Sequence, residues 1–157
     1  MSITVRAAGL GDAAPMSTVL AEILEAWGSP RAHSPGHVRA FYIQHPDQVA
    51  SYVALDGDRL VGFQSLKVAR KGNAYDLPLG WGIIGTYVAR DAVRRGIGRT
   101  LFDATLTAAR DAGITRIDAT IGAGNAAGLA YYIAMGFEPY RTLAGAVGTR
   151  FHTGQRR

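Results

Sequence analysis

The sequence predicts a mixed α/β (α+β) fold in one domain that spans residues 1–157. Apolar residues recur at helical spacing in residues 14–27 and again in residues 97–108. Two segments typical of β-strands flank the turn at residues 56–58, which has the composition of a hairpin. An apolar run at residues 81–88 leads through a glycine-containing turn into the second helical segment. The predicted order of elements is therefore β-α-α-β-β-β-α-β-α-β-β.

The first three elements are a short strand and two helices. Residues 3–7 alternate between apolar and polar side chains and predict the strand, and Asp12 is the expected N-cap of the first helix. That helix is predicted for residues 14–27, because residues 28–30 contain glycine and proline. The second helix is predicted for residues 35–45, which a proline follows. The expected packed faces are Met16, Val19, Leu20, Ile23, Leu24 and Trp27 in the first helix, and Val38, Phe41 and Tyr42 in the second.

The remaining elements are strands joined by two more helices, with a polar loop at residues 70–79. Strands are predicted at residues 48–55, 59–69, 81–88, 116–121, 137–142 and 147–152, and helices at residues 98–112 and 125–135.

Composition bounds the class of protein. Hydrophobic residues make up 48% of the chain and charged residues 18%, which favours a packed core over disorder. The chain has no cysteine, so a disulfide framework and thiolate chemistry are excluded. The N-terminal residues lack an apolar signal segment, and no apolar run reaches 18 residues, so we expect a cytoplasmic protein with no membrane partner.

The positive charge is concentrated in one place. The formal net charge is +5, and residues 90–99 alone hold four arginines and one aspartate. A basic patch at a glycine-containing turn fits a small phosphorylated ligand. Nucleic acid is disfavoured as a partner, because the alternation of aromatic and basic residues typical of single-strand binders is absent.

The turn itself predicts an anion site. Gly96 and Gly98 stand where the strand passes into the helix, and the first N–H groups of a helix have no intrahelical partner. The helix dipole makes this end positive, and Arg94, Arg95 and Arg99 surround it. These features together favour a phosphate or pyrophosphate.

Two other interpretations of the turn were open. It could be a tight connection with solvated arginines. A dinucleotide-binding fingerprint requires a third glycine, but Leu101 occupies that position, and the acidic Asp118 falls inside the next strand rather than at its end. A P-loop is excluded, because no G-K-[ST] follows the glycines.

The turn resembles motif A of the GCN5-related N-acetyltransferase (GNAT) family, whose pattern is [Q/R]-x-x-G-x-[G/A]. Gly96 and Gly98 match, while Val93 stands where glutamine or arginine is usual. In that family the backbone N–H groups hold the pyrophosphate of acetyl-coenzyme A (acetyl-CoA). The resemblance therefore implies acetyl-CoA as cosubstrate and no metal.

A second motif begins at Asn125 and resembles the family's N-x-x-A-x-x-x-Y-x-x-x-G-F-x. Alignment on the Gly136-Phe137 pair places the motif tyrosine at Tyr132. In the family this phenol donates a proton to the departing thiolate, so the resemblance implies that Tyr132 is catalytic. Its neighbour Tyr131 is expected to be a packing aromatic, and packing is also the alternative role for Tyr132. The residues expected at the coenzyme are Tyr87, Val88, Val93, Arg94, Arg95, Gly96, Ile97, Gly98, Arg99, Thr100, Asn125 and Tyr132.

The resemblance also implies an architecture. It is a central mixed, mostly antiparallel twisted sheet of six to seven strands, split at the coenzyme site and flanked by four helices. Residues 84–88 are expected to carry a bulge and to part from residues 116–121, and the coenzyme enters that split. Residues 147–152 are expected to form an exposed edge through which a homodimer assembles.

The implied function is transfer of an acetyl group from acetyl-CoA to a primary amine of a small molecule such as an amino acid or amine. The alternatives are a coenzyme A-binding regulatory module without turnover, and an acetyltransferase that acts on a protein or on aminoacyl-tRNA. Similarity to acetyltransferases of amino acids and of phosphinothricin is weak. The acceptor is expected to be selected mainly by residues 25–45 and 70–80.

The general base is the part of the pattern that the sequence lacks. Many relatives carry a glutamate on the strand before motif A, but residues 82–86 contain no acid. The base must then come from another element, act through water, or be unnecessary. The candidates elsewhere in the chain are Glu25, His33, His37, His45 and Asp76.

Overall fold

A computed structural model describes residues 2–93 and 95–154. The strands are β1 (Ile3–Ala7), β2 (Gln48–Asp56), β3 (Arg59–Val68), β4 (Gly82–Val88), β5 (Arg116–Gly122), β6 (Glu138–Leu143) and β7 (Ala146–His152). The helices are α1 (Ala13–Trp27), α2 (Pro35–Val38), α3 (Ile97–Asp111) and α4 (Ala126–Met135). The strands form one sheet in the order β1-β2-β3-β4-β5-β7-β6, antiparallel at every pairing except β4–β5. The predicted mixed, mostly antiparallel sheet with four helices is confirmed.

The start of α1 differs in one respect from the prediction. Asp12 stands at the N-cap position, but its carboxylate makes no capping hydrogen bond to α1. It accepts a hydrogen bond from the N–H of Gly9 at 2.7 Å and pairs with Arg6 at 2.8 Å. The Arg6 guanidinium holds the pKa of Asp12 below its usual range. Asp12 therefore ties the end of β1 to the turn before α1 rather than capping the helix.

The second helix is regular only in its first turn. After Val38 the chain continues as a π-helical segment, Arg39–Ile43, and the N–H of Gln44 bonds to the Arg39 carbonyl five residues back. The predicted regular helix is therefore wrong in its second half. The wider turn changes the packed face, so that Tyr42 is buried while Phe41 is 39% exposed.

The core consists of two clusters of buried side chains. The first packs α1 and the start of α3 on β2 and β3, with Met16 and Phe63 fully buried. The second joins the middle of α3 and α4 to β5 and β7, with Phe102 and Phe151 in edge-to-face contact at 5.3 Å. Trp27 belongs to neither cluster. It was expected on the packed face of α1, but it is 48% exposed.

The sheet is split between β4 and β5. These parallel strands pair only at Gly82↔Ile117 and Ile83↔Asp118, near the start of both strands. The predicted split is confirmed. The predicted bulge is absent, because β4 keeps a continuous register with β3 from Gly82 to Val88.

The open edge of β4 faces into this split. The Trp81 carbonyl and the Ala89 N–H both bond toward β3. Backbone groups alternate in direction along a strand, so those of Ile84, Thr86 and Val88 point away from β3 and into the split. These groups are available to a ligand that enters between β4 and β5.

The C-terminal hairpin has the reverse of the expected arrangement. β7 lies between β5 and β6 and is paired on both sides, so it is not an edge. The edge strands are β1 and β6. The predicted route to a homodimer through residues 147–152 is therefore wrong. Local sequence pattern predicts strands but not the order in which they pair.

None of the helices among residues 2–93 and 95–154 combines the length and apolar character needed to cross a membrane.

Candidate active site

Two clefts meet at the split in the sheet. The first, of about 1020 Å³, lies along the N-terminal ends of α3 and α4. The second, of about 890 Å³, lies between α1, the π-helical segment and the polar loop before β4. Their shared walls are formed by Ala26, Trp27, Thr86, Asn125 and Tyr132. A ligand in one cleft can therefore touch a ligand in the other at this junction.

Most residues expected at the coenzyme line the first cleft. They are Val88, Val93, Gly96, Ile97, Gly98, Arg99, Asn125 and Tyr132. Arg90, which the sequence analysis did not single out, lines it as well. Its place within the basic stretch at residues 90–99 was the signal that could have identified it.

Three of the expected residues have other roles, and one lies outside the described residues. Arg95 pairs with Asp56 at 2.8 Å, and Thr100 donates its hydroxyl to the Gly96 carbonyl at 3.0 Å. Tyr87 lines the second cleft instead of the first. Arg94 lies outside the described residues. Of the three guanidiniums predicted around the turn, the structure places Arg99 at the first cleft.

The N-terminus of α3 has the features expected of a phosphate site. Gly96 has a φ of 75°, and the first hydrogen bond of the helix runs from the Thr100 N–H to the Gly96 carbonyl at 3.1 Å. The N–H groups of Ile97, Gly98 and Arg99 have no hydrogen-bond partner in the described part of the chain. They lie at the positive end of a 15-residue helix and next to the first cleft. The residues present therefore fit a pyrophosphate.

The position of the Tyr131 ring also leaves no room for a side chain at residue 98. A Cβ atom on Gly98 would lie 2.4 Å from Cε1 of Tyr131, closer than real Cβ contacts come. Tyr131 donates its hydroxyl to the Gly98 carbonyl at 2.7 Å and accepts a hydrogen bond from Nε2 of Gln64 at 3.1 Å. Tyr131 thus joins α4 to the start of α3, which is more than the packing role predicted for it.

Tyr132 lies at the junction of the clefts and is only 6% exposed. Its hydroxyl is 2.8 Å from Oγ1 of Thr86, and Nε2 of the fully buried Gln64 donates to the same Oγ1 at 2.9 Å. Burial raises the pKa of the Tyr132 phenol well above its usual range. The phenol is therefore protonated at neutral pH.

Hydrogen-bond donors and acceptors distinguish the two tyrosines. The proton of Tyr131 is held by the Gly98 carbonyl. Thr86 already accepts from Gln64, so it can donate its own proton to the oxygen of Tyr132. In that arrangement the proton of Tyr132 is free to be donated into the cleft.

Asn125 begins α4 and borders both clefts. Its side-chain oxygen accepts a hydrogen bond from the N–H of Gly128 at 2.9 Å and caps the helix. The Asn125 side chain can turn back over residue 128 because that residue is glycine. A Cβ there would lie 2.4 Å from the Asn125 amide nitrogen.

The second cleft is lined by cations and aromatic rings. Nη2 of Arg31 donates to the hydroxyls of Tyr42 and Tyr87, each at 3.0 Å. Nζ of Lys67 lies 3.7 Å from the centre of the Phe41 ring. Burial lowers the pKa of Lys67 to about 8.

The model of the acetyltransferase (GNAT) family matches residues 16–137, most of the chain. The chain belongs to the GNAT family. No curated protein sequence matches it significantly.

Several solved structures share the fold of this GNAT chain. The yncA protein of Salmonella typhimurium, solved with its cofactor acetyl-CoA, is 17% identical, with a TM-score of 0.78 over 99% of this chain and 96% of that chain. The paia N-acetyltransferase of Thermoplasma acidophilum, solved with coenzyme A, is 18% identical, with a TM-score of 0.78 over 97% and 99% of the two chains. A GCN5-related N-acetyltransferase from Kribbella flavida is 21% identical, with a TM-score of 0.78 over 96% and 97%.

The structure narrows the candidates for the general base of this GNAT protein. Of the five residues proposed from the sequence, His45 lines the second cleft, and Glu25, His33, His37 and Asp76 line neither. The Asp47 N–H donates to Nδ1 of His45 at 3.1 Å, so the neutral ring carries its proton on Nε2. The ring nitrogen that faces away from Asp47 is therefore a donor and is poorly suited to accept a proton from the acceptor.

Among residues 2–93 and 95–154, no group of three or more histidine, aspartate or glutamate side chains is arranged to hold a metal ion.

Proposed function

We propose that this GNAT acetyltransferase is a single-domain enzyme that transfers the acetyl group of acetyl-CoA to a primary amine of a small molecule such as an amino acid or amine. The observation that carries the proposal is the meeting of two clefts at one buried, protonated phenol, Tyr132. A donor and an acceptor held in separate clefts would meet beside a group that can supply a proton.

Acetyl-CoA fits the first cleft. The N–H groups of Ile97, Gly98 and Arg99 and the side chains of Arg90 and Arg99 would hold its pyrophosphate. The exposed backbone edge of β4 would bind the chain that leads to the sulfur, as an added strand would. Relatives with this fold hold acetyl-CoA or coenzyme A, which supports the proposal.

Acetyl-CoA supplies an activated acyl group as a thioester. In the transfer a C–N bond forms, the C–S bond breaks, the amine loses a proton and the sulfur gains one. Tyr132 would donate the proton to sulfur, and the N–H groups of Thr86 or Val88 would stabilise negative charge on the carbonyl oxygen. Thr86 and Gln64 would hold the phenol in the donating orientation.

Among the described residues, neither β4 nor His45 offers a side chain suited to accept the proton of the amine. Residues on β4 contain no acid, and the outward ring nitrogen of His45 is a donor. We therefore expect water to carry this proton, with the amine entering the transfer in its neutral form. The absence of a clear base also favours the second candidate, a coenzyme A-binding regulatory module without turnover.

An acetyl-transfer screen separates these candidates. Purified protein is incubated with acetyl-CoA and a panel of amino acids, amines and peptides, and free thiol is measured against a no-acceptor blank. Acceptor-dependent release of thiol supports the enzyme. Tight binding of coenzyme A in calorimetry, with no release for any acceptor, would favour the regulatory module. Transfer to peptides alone would indicate that the acceptor is a protein.

The cytoplasmic location and the homodimer stay predictions. The mass of the protein in light scattering at micromolar concentration tests the homodimer. A monomer mass would contradict it, and it would agree with the finding that β7 is covered on both sides.

A further inference from the structure

Among the residues that the structure describes, Arg31 in the second cleft has no carboxylate partner. Its Nη2 donates to the hydroxyls of Tyr42 and Tyr87, and its Cζ lies 6.0 Å from the centre of the Tyr87 ring. The described residues offer it no ion pair. Arg31 is nevertheless held in place by two neutral hydroxyl groups, so its remaining N–H groups are pre-positioned in the cleft.

Lys67 is the second cation of the same cleft. Its Nζ lies 3.7 Å from the centre of the Phe41 ring and 5.0 Å from that of Tyr42. Ring faces attract an ammonium, so the two rings fix its position. Like Arg31, it forms no ion pair with a carboxylate of the described residues.

Tyr42 connects the two cations. Lys67 lies over its ring, and Arg31 donates to its hydroxyl. The two positive charges repel each other, since the pKa of Lys67 is lowered by burial and also by the charge of Arg31. An anion bound between them would relieve that repulsion. The arrangement is that of an anion site rather than of a structural ion pair.

The rest of the lining does not cancel this charge. Asp47 is the acidic residue of the second cleft in the described part of the chain. Its carboxylate already pairs with Nε of Arg70 at 2.8 Å. The second cleft therefore has a net positive character.

We propose that the second cleft binds the carboxylate of a free amino acid, with Arg31 and Lys67 as its ligands, so that the amine of that amino acid faces Thr86 and Tyr132. This inference rests on the proposed acetyl transfer and selects amino acids from its wider class of acceptors. Polyamines and aminoglycosides are rejected, because their positive charges would meet two cations.

The positive charges of Arg31 and Lys67 also explain how the site could work without a general base. A positive neighbourhood disfavours the ammonium form of an amine and so favours the neutral, nucleophilic form. Arg31 and Lys67 would thus both anchor the acceptor and reduce its need for a general base.

The test compares acceptors that differ only in the carboxylate. L-phenylalanine is paired with phenethylamine and L-leucine with isoamylamine, and spermidine represents the polycations. We expect kcat/KM to be at least about tenfold higher for the amino acid of a pair, and spermidine to be a poor acceptor. Equal or higher values for the amines or for spermidine would overturn the inference.

Two substitutions test whether Arg31 and Lys67 cause the preference for amino acids over amines. Arg31→Met and Lys67→Met should each lower kcat/KM for amino acids about 10- to 100-fold and reduce the preference over the matched amine by the same factor. The matched controls are Arg39→Met and Lys71→Met, which remove the same charges outside the lining of both clefts. Equal effects of the control variants would show that the anion preference is a property of net charge, against the inference.

A binding measurement keeps the inference separate from turnover. N-acetyl-L-phenylalanine and N-phenethylacetamide, the two products, are titrated in calorimetry with coenzyme A present. Only the carboxylate-containing product should bind, and Arg31→Met should weaken it. Selective binding without turnover of any acceptor would contradict the proposed acetyl transfer but support the anion site. The lack of any preference between the two products would contradict the anion site itself.

Discussion

At residues 131 and 132 two tyrosines stand side by side, and their hydroxyl groups have different partners. Tyr131 gives its proton to the Gly98 carbonyl, while Tyr132 contacts Thr86 at the junction of the clefts. Both phenols are kept protonated by burial, which raises the pKa of Tyr131 to about 12 and that of Tyr132 well above its usual range. A difference in hydrogen bonding, rather than in acidity, therefore distinguishes the two phenols, and it supports the proposal of Tyr132 as the proton donor.

Removal of the Tyr132 hydroxyl tests this role. Tyr132→Phe should lower kcat by about 10- to 100-fold, at the low end of what general acids contribute, because a thiolate can leave partly without a proton. The ring and its packing remain. The KM for acetyl-CoA should change little, because the proton is needed in the transition state. Steady-state kinetics on the best acceptor measures both values.

Tyr131→Phe is the matched control. It should leave kcat within about threefold while lowering the free energy of unfolding by about 1 kcal/mol, because the hydrogen bond to Gly98 is lost. Exchanged effects of the two substitutions would place the motif tyrosine one residue earlier.

Arg95 and Arg99 provide a second matched pair. Arg99 lines the first cleft, whereas Arg95 pairs with Asp56. Arg99→Ala should weaken coenzyme A binding, more strongly at low salt, because an exposed guanidinium is screened by ions. Arg95→Ala should leave the affinity nearly unchanged. Calorimetry at two salt concentrations measures this, and a larger loss from Arg95→Ala would contradict the placement of the two side chains.

At the scale of elements, the boundaries of helices and strands were largely predictable from the sequence. Periodicity and glycine or proline stops locate them within one or two residues. The π-helical segment was not predictable, because one extra residue in a turn leaves no trace in so short a pattern. Periodicity predicts Trp27 and Phe41 on packed faces, but both line the clefts and are partly exposed.

Contacts between residues that are distant in sequence were also not predictable. Nothing local links Arg95 to Asp56, which lies 39 residues earlier, or Arg31 to Tyr87, which lies 56 residues later. The sequence therefore predicted the pyrophosphate turn and the motif tyrosine, which are local features. It did not predict the charge of the second cleft, which Arg31, between α1 and α2, and Lys67, in β3, create together.

The contact between α3 and α4 gives a prediction at this scale. Gly98→Ala should force the Tyr131 ring away, destabilise the protein by about 1–3 kcal/mol and abolish coenzyme A binding. In a Tyr131→Ala background the same change meets no ring, so its cost should vanish, since alanine favours a helix over glycine. Chemical denaturation of the four variants measures the coupling. An equal cost in both backgrounds would mean that Tyr131 is not the obstacle.

At the scale of the whole molecule, buried phenols link stability to alkaline pH. Burial raises the pKa values of Tyr42, Tyr75, Tyr131, Tyr132 and Tyr140 above their usual range. Above about pH 10 the unfolded chain releases these protons while the folded protein retains them. The folded state then binds more protons than the unfolded state, so the free energy of unfolding falls as pH rises.

We expect the free energy of unfolding to rise between about pH 8 and 10, where the buried Lys67 loses its proton in the folded protein before it does in the unfolded chain. It should then fall steeply above about pH 10, where the buried tyrosines dominate. Urea denaturation at a series of pH values measures the free energy of unfolding, and ultraviolet titration reports the tyrosinates. A gradual appearance of tyrosinate near pH 10 in the folded protein, with no loss of stability, would contradict the burial of these hydroxyls.

The two residue pairs that join β4 to β5 have a consequence for cooperativity. Beyond Ile83 and Asp118, no strand pairing among the described residues connects the half of the sheet that holds β1–β4 to the half that holds β5–β7. Side-chain packing of α3 then carries most of the connection, and we expect the second half to open at a lower free energy than global unfolding. A coenzyme bound along β4 would couple the two units, because binding to the closed form alone stabilises it by mass action. Native-state amide exchange would show this as protection that rises in β7, which β5 separates from the split, when coenzyme A is added.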